Sequence, residues 1–250
     1  MAQAKRRIFA GDTCDQIVYG VSDGAAARGK YKEYIRFESE EQRRAFNFAR
    51  GLRKFVRLVN ENFGPTSDYC TLTMDDEHEC HTFEEARKVR DRFFNRLRYH
   101  WPEARIVIVM GRGKSTGRIH LHMLADGIPE DAIRAQWRCG EMTYIQRLRA
   151  HNRYGGIDYG CDYTSLATYL YKHWTPEQGG HHYKATRSCV QPERDAEKAT
   201  LCKRVYRPDK PPRAPKGFKF VGVIYNQYGY ICYHYVRDIK ALERALKMSL

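Results

Sequence analysis

The chain has 250 residues, 42% of them hydrophobic, enough for one large domain with additions and a substantial core. Lys and Arg number 44 against 30 Asp and Glu, a net charge of +14 that points to a polyanionic partner, most often nucleic acid. No run approaches 18 apolar residues, no apolar core follows Met1–Arg7, and none of the eight cysteines forms a C-x-x-C pair, so a membrane span, a secretory signal and a structural zinc finger are not expected.

Residues 1–38 are basic and Gly/Ala-rich, with short strands expected near Gln16–Val21 and Tyr31–Phe37. Ser39-x-x-Gln42 forms a capping box, after which Ala45, Phe48, Leu52, Phe55, Val59 and Phe63 recur at helical spacing until Gly64-Pro65. The other face of that helix carries Arg43, Arg44, Arg50, Arg53, Lys54 and Arg57, either a solvated face or a DNA contact. Asp68–Met74 reads as a strand. Thr82-x-x-Glu85 caps a second helix that buries Phe83, Ala86, Val89, Phe93 and Leu97, with Pro102 beyond its end. Arg105–Met110 and Arg118–Leu124 are strands joined through Gly111–Gly117 as an antiparallel hairpin. Pro129 opens a helix to about Cys139 that resumes at Thr143–Arg149, and Thr164–Trp174 is a short helix capped by Asp162. Four prolines mark Tyr206–Gly217 as a linker, followed by a hairpin of Phe218–Tyr225 and Tyr230–Val236 and an amphipathic helix over Asp238–Leu250.

This order predicts an α+β fold, a central antiparallel sheet with helices packed on one face. Its expected parts are a basic N-terminal segment with an amphipathic helix (1–66), the core (67–205), the linker (206–217) and a C-terminal hairpin with helix (218–250). The scattered cysteines point to free thiols in a reducing cytosol.

The strand Gly117–Leu124 carries the first chemistry. His120 and His122 alternate with Ile119, Leu121 and Met123, so the two imidazoles share one face while the apolar residues enter the core. With Cα atoms about 6–7 Å apart, the pair can hold one divalent ion, or it is an inert pair on a sheet face. An ion also held by a phosphate oxygen would act as a Lewis acid on that phosphate. Tyr169 and Lys172, at i and i+3, share a helix face. A phenol is a weak nucleophile until a nearby cation favours its phenolate, so Tyr169 is either a nucleophile beside the ion or one packed tyrosine among 18. Tyr171 is the rival nucleophile, on the far side of the helix. His173, at i+4 from Tyr169, is a hydrogen-bond donor to the site or a surface residue. Gly113-Lys114-Ser115 lacks the first glycine of a phosphate-binding loop, since position 108 is Ile108, and a strand follows it rather than a helix.

In three ordered motifs, DYCTLTM (68–74), GRIHLHML (117–124) and ATYLYKHW (167–174), the chain resembles the HUH endonucleases, and among them the rolling-circle replication initiators of bacterial phages and plasmids. A later stretch, GGHHYKATRSCVQPE (179–193), is similar to the basic segment that follows the tyrosine in that family. The resemblance implies a sheet with the His pair on a central strand and the tyrosine helix facing it. It implies nicking of single-stranded DNA at an origin in the cytoplasm of a bacterial host: Tyr169 as nucleophile forming a 5′-phosphotyrosine, Lys172 assisting, and His120 and His122 holding Mg²⁺ or Mn²⁺. Arg112, Lys114, Arg118, Lys184 and Arg187 flank the site as phosphate contacts, and a host helicase is a further partner. Two features depart from the family pattern. The strand Arg105–Met110 offers no carboxylate or amide as third ligand, which leaves Asp75, Asp76, Glu77 or water. Position 173 is His rather than a second tyrosine, which implies a single-tyrosine enzyme. Two alternatives stay open: a transposase or mobilisation nuclease with the same chemistry, and a non-catalytic single-strand-binding protein with the same fold.

Overall fold

The computed structural model describes residues 2–239 apart from 30, 32, 34, 114, 115, 142, 155, 156, 176, 177 and 179. The elements run β1 (Ala2–Ala10), β2 (Thr13–Val21), α1 (Asp23–Ala27), α2 (Glu40–Asn62), β3 (Asp68–Thr73), α3 (Phe83–His100), β4 (Arg105–Arg112), β5 (Ile119–Asp126), α4 (Glu130–Gln136), β6 (Thr143–Arg147), β7 (Arg153–Tyr154), β8 (Ile157–Asp158), α5 (Thr164–Tyr171), β9 (Lys184–Ala185), β10 (Thr200–Leu201), β11 (Phe218–Tyr225) and β12 (Ile231–Arg237). They group into two compact units, one drawn from residues 1–57, 151–162 and 191–250, the other from 58–150 and 163–190.

The first unit is built on an antiparallel sheet in the order β10-β1-β2-β12-β11. Every residue of β2 is buried, because both faces of this strand are covered. Ile17, Tyr19 and Val21 pack with Ala4, Ile8 and Cys232, while Cys14 and Val18 pack with Tyr206, Tyr233 and Tyr235. Only a short strand at Gln16–Val21 was legible here. The full hairpin of β1 and β2 draws its pairing from β12, far along the chain, so the basic run Lys5-Arg6-Arg7 gives no local sign of it. The described residues of 31–37 form no strand. The Pro-rich stretch Tyr206–Gly217 is fastened to this sheet: the Tyr206 N–H donates to Gln3 Oε1 (2.8 Å), and the Tyr233 and Tyr235 hydroxyls donate to the carbonyls of Arg207 (2.7 Å) and Pro212 (3.2 Å). The helix expected over Asp238–Leu250 lies outside the described residues from position 240 onward.

At the start of α2, Ser39 Oγ accepts from the Gln42 N–H (3.1 Å) and the Gln42 side chain accepts from the Glu38 N–H (3.0 Å). The cationic face is not uniformly solvated. Arg57 is buried, donating to Asp15 (2.7 Å) and Glu193 (3.2 Å). His234 completes the cluster, with Nδ1 2.8 Å from Asp15 and Nε2 3.1 Å from Asp162. Burial alone would raise the Asp15 carboxyl, but Arg57 and His234 outweigh it and hold it well below the usual carboxylate range. Burial alone would lower His234, but its two carboxylate partners raise it to about 10. The raised imidazole stabilises the fold fully below its ordinary value of about 6.5 and loses that contribution as pH rises toward 10. The depressed carboxyl contributes above its ordinary value near 3.8 and loses its contribution as pH falls below it. His234→Gln should therefore cost about 3–5 kcal/mol between pH 4 and 6.5, with the difference from wild type shrinking between pH 6.5 and 10. Denaturant unfolding across that range measures it. A pH-independent difference would show that His234 is held neutral.

The second unit carries the antiparallel sheet β6-β3-β5-β4-β9, with β5 at its centre. Alternate residues of three strands (Cys70 and Leu72; Ile106, Ile108 and Met110; Ile119, Leu121 and Met123) pack against Phe83, Ala86, Phe93, Phe94 and Leu97 of α3 and Ile133 of α4. The expected capping box opens α3: Thr82 Oγ1 accepts from the Glu85 N–H and the Glu85 carboxylate accepts from the Thr82 N–H. The sheet face away from this core carries Tyr69, Thr71, Gly111, His120 and His122. Three expectations are corrected. The helix α4 ends at Gln136, and Thr143–Arg147 is an edge strand beside β3 rather than a resumed helix, since Thr-Tyr-Ile pairs as readily as it coils. The helix α5 ends at Tyr171 instead of Trp174. Asp162 does not cap it; the residue at the cap is Tyr163, whose N–H donates to Asn60 Oδ1 (2.7 Å). No described helix is long and apolar enough to cross a membrane, and all eight cysteines are free.

Candidate metal and nucleophile site

The central position of β5 sets the site. Its neighbours β3 and β4 keep both strand edges paired, so His120 and His122 project rigidly from one face. Their Nε2 atoms are 3.0 Å apart. His173, just past the end of α5, closes the group: its ring centre is 4.6 Å from that of His122 and 6.0 Å from that of His120. One nitrogen from each of the three rings lies within 4.8 Å of the others, an arrangement that could hold a metal ion.

Each ring is oriented from behind. His120 Nδ1 faces the Arg118 carbonyl (3.4 Å), which can only accept, so that nitrogen carries the proton and Nε2 presents a lone pair. His122 Nδ1 lies 2.8 Å from the Tyr69 hydroxyl, which also accepts from Thr71 (3.2 Å). A hydroxyl can donate or accept, so Tyr69 suits the tautomer of His122 that turns its Nε2 lone pair toward an ion. The buried Gln178 amide donates to the carbonyls of His173 (2.9 Å) and Met110 (3.2 Å), tying the His173 turn to β4. Burial, then the neighbouring His120 and His173, pushes His122 down to about 3; burial also lowers His120, against the Arg118 carbonyl. The two strand imidazoles are thus neutral at physiological pH, the protonation state a metal ligand needs.

Gly111 makes room for the group. It pairs with His120 across the sheet, and a Cβ added there would stand 2.9 Å from His173 Nδ1 and 3.1 Å from His120 Nε2. Gly111→Ala should push these rings apart and weaken Mn²⁺ binding by about tenfold or more. A calorimetric titration with the melting temperature alongside checks this. Unchanged affinity would mean that the three rings do not act as one site.

Tyr169 lies beside the cluster. Its ring centre is 4.5 Å from His173 and 5.7 Å from His122, and the residue is 51% exposed. Tyr171 points elsewhere: it is buried, stacked on His182 at 4.2 Å, and burial followed by Tyr183 raises its phenol to about 12. Lys172 caps the C-terminal end of α5, exposed and with no side-chain hydrogen bond or ion pair among the described residues.

The expected phosphate contacts scatter. Arg118 pairs with Asp76 (2.8 Å) and Glu79 (3.5 Å), and Lys184 pairs with Asp91 of α3 (2.9 Å) while lying over Phe94. Arg112 donates to the Gly117 carbonyl (2.9 Å) with its guanidinium over Phe83. Arg187 is exposed, and Lys114 lies outside the described residues. Of the carboxylates considered as third ligand, Asp75 bonds His78 (2.7 Å) and Asp76 bonds Arg118, and neither joins the histidine group. His173 was the donor missed as such; its i+4 spacing from Tyr169 was the available signal.

Residues 67–239 match a family described as replication-associated protein, of the ORF2 type. The chain belongs to that family. The match takes in β3, β5 and α5, and with them every residue of the histidine–tyrosine site. It supports a role in replication initiation and so a DNA partner. No curated protein and no solved structure matches the chain.

Proposed function

We propose that the protein nicks single-stranded DNA at a replication origin by attack of Tyr169 on a phosphodiester, beside a divalent ion held by His120, His122 and His173. The observation that carries this reading is the half-exposed Tyr169 phenol packed against the imidazole cluster. A bound Mg²⁺ or Mn²⁺ would polarise the scissile phosphate and favour the phenolate. Three nitrogen donors suit Mn²⁺ better than the harder Mg²⁺.

In the step itself the Tyr169 oxygen bonds to phosphorus as the bond from phosphorus to the 3′ oxygen breaks. The phenol gives up its proton and the 3′ oxygen gains one, leaving a 5′-phosphotyrosine and a 3′-hydroxyl that can prime synthesis. The phosphotyrosine conserves the bond, so attack by a 3′-hydroxyl reverses it. Lys172 and Arg187 supply exposed cations for the DNA backbone, and Arg112 an exposed guanidinium at the β4 end. With His at position 173, a second cleavage needs another subunit or a second turn of Tyr169.

The test is a covalent adduct. Protein incubated with single-stranded DNA of its own replicon and Mn²⁺ should give a slower band on a denaturing gel, absent with EDTA, and the modified peptide should contain Tyr169. Tight binding with no adduct from any fragment of that replicon would instead support a non-catalytic single-strand-binding protein.

A further inference from the structure

The first unit contains a cavity of about 460 Å³, within the usual range for small-molecule sites. Its lining residues, apart from Tyr230, all precede the residues matched by the replication family. It is therefore an addition to the family core, and the nicking chemistry makes no use of it. Besides Arg57, already paired with Asp15, three cations line it, Arg6, Arg50 and Arg53, with one carboxyl, Glu33. Aromatic faces alternate with them. The Arg53 guanidinium lies 4.2 Å from the Tyr230 ring centre, Arg50 lies 5.8 Å from that of Phe46, and Phe37 meets Phe46 at 5.4 Å. The Tyr19 hydroxyl donates to the Tyr31 carbonyl (2.8 Å), holding the segment that carries Glu33 against the sheet.

Two polar groups in this lining have unmet demands. Glu33 Oε1 and Arg6 Nε are buried with no hydrogen-bond partner among the described residues. Burial raises the Glu33 carboxyl even though Arg50, Arg53 and Arg6 all act to lower it. Leaving such groups unpaired is costly, so their retention beside aromatic faces points to a ligand that is flat, anionic at one end and rich in N–H donors at the other.

We propose that this cavity binds one nucleotide, its base against the Phe46 and Tyr31 rings, its phosphate on Arg50 and Arg53, and its base edge on Glu33. Arginine and aromatic side chains together supply both needs of a single strand, charge for the backbone and π faces for the bases. A carboxylate accepts from base amino groups, which adenine, cytosine and guanine carry and thymine lacks. The nucleotide is either a base turned out of single-stranded DNA or a free nucleoside phosphate, and both share this chemistry.

The experiment titrates the full chain in EDTA, so that its result is independent of cleavage, with dGMP, dTMP and inorganic phosphate. In parallel, a labelled mixed-sequence oligonucleotide and its abasic counterpart are followed by anisotropy. Arg50 is exposed, so Arg50→Gln should leave the melting temperature unchanged while weakening dGMP binding by about tenfold. Glu33→Gln should remove the preference for dGMP over dTMP. Free dGMP binding that responds to both variants supports the pocket with a soluble ligand. Oligonucleotide binding that responds to Arg50→Gln and to base removal, without free dGMP binding, supports it with a base from the strand. Phosphate binding as tightly as dGMP, or binding of neither probe that responds to either variant, overturns the proposal.

Discussion

Tyr169→Phe should abolish the protein–DNA adduct while Tyr171→Phe leaves it intact. Both substitutions delete a single oxygen from the same short helix, so any difference between them reports position. Tyr169 is half exposed and packs edge-on against His122 and His173, and a phenylalanine keeps those ring contacts. The metal group should stay intact while the nucleophile is gone, and adduct formation should fall by at least roughly 10⁴-fold. Tyr171 lies two residues on, about 200° around the helix. Its ring is buried and stacked nearly parallel to His182, and its phenol is harder to ionise than usual. Tyr171→Phe retains the stack and should alter stability by about 1 kcal/mol or less. The reverse outcome, adduct lost with Tyr171→Phe and kept with Tyr169→Phe, would mean that the helix turns the other way when DNA is bound.

The parts of this site legible in the sequence are those written in local periodicity. Alternation of His120 and His122 with Ile119, Leu121 and Met123 states which face is core, and β5 buries the latter three as that alternation requires. The capping box at Thr82 likewise fixes where α3 begins. What escaped depends on contacts between distant segments. His173 becomes a third donor only because α5 and the Gln178 turn bring it against β4, and no spacing rule within residues 117–124 contains that fact. Gly111 reads as part of a turn, yet its lack of a side chain is what lets two imidazoles approach. The cations show the same limit. A sequence displays the charge of Arg118 and Lys184 but not the carboxylates of Asp76, Glu79 and Asp91 that occupy them. Arg57, read on the solvated face of α2, is the buried partner of Asp15.

His173→Ala should separate these two kinds of knowledge by experiment. If the ion rests on three imidazoles, removing one should lower Mn²⁺ affinity by at least about 100-fold, comparable to the loss from His120→Ala and beyond the usual effect of altering a supporting hydrogen bond. Asp76→Asn should do little, because that carboxylate is exposed and bonded to Arg118, outside the histidine group. Calorimetry without DNA reads the protein's own ligands. Repeating it with an uncleavable single strand adds whatever the phosphate contributes. Affinity lost in His120→Ala but kept in His173→Ala would return the third position to water or to a first-strand carboxylate. It would also make His173 a neighbour of Tyr169 rather than a ligand. Loss in both, with Asp76→Asn unaffected, would explain how this chain dispenses with a carboxylate on the strand before its histidines. In that case the residue one helical turn beyond the nucleophile supplies the missing donor, and Tyr169 and the metal are positioned by the same stretch of chain.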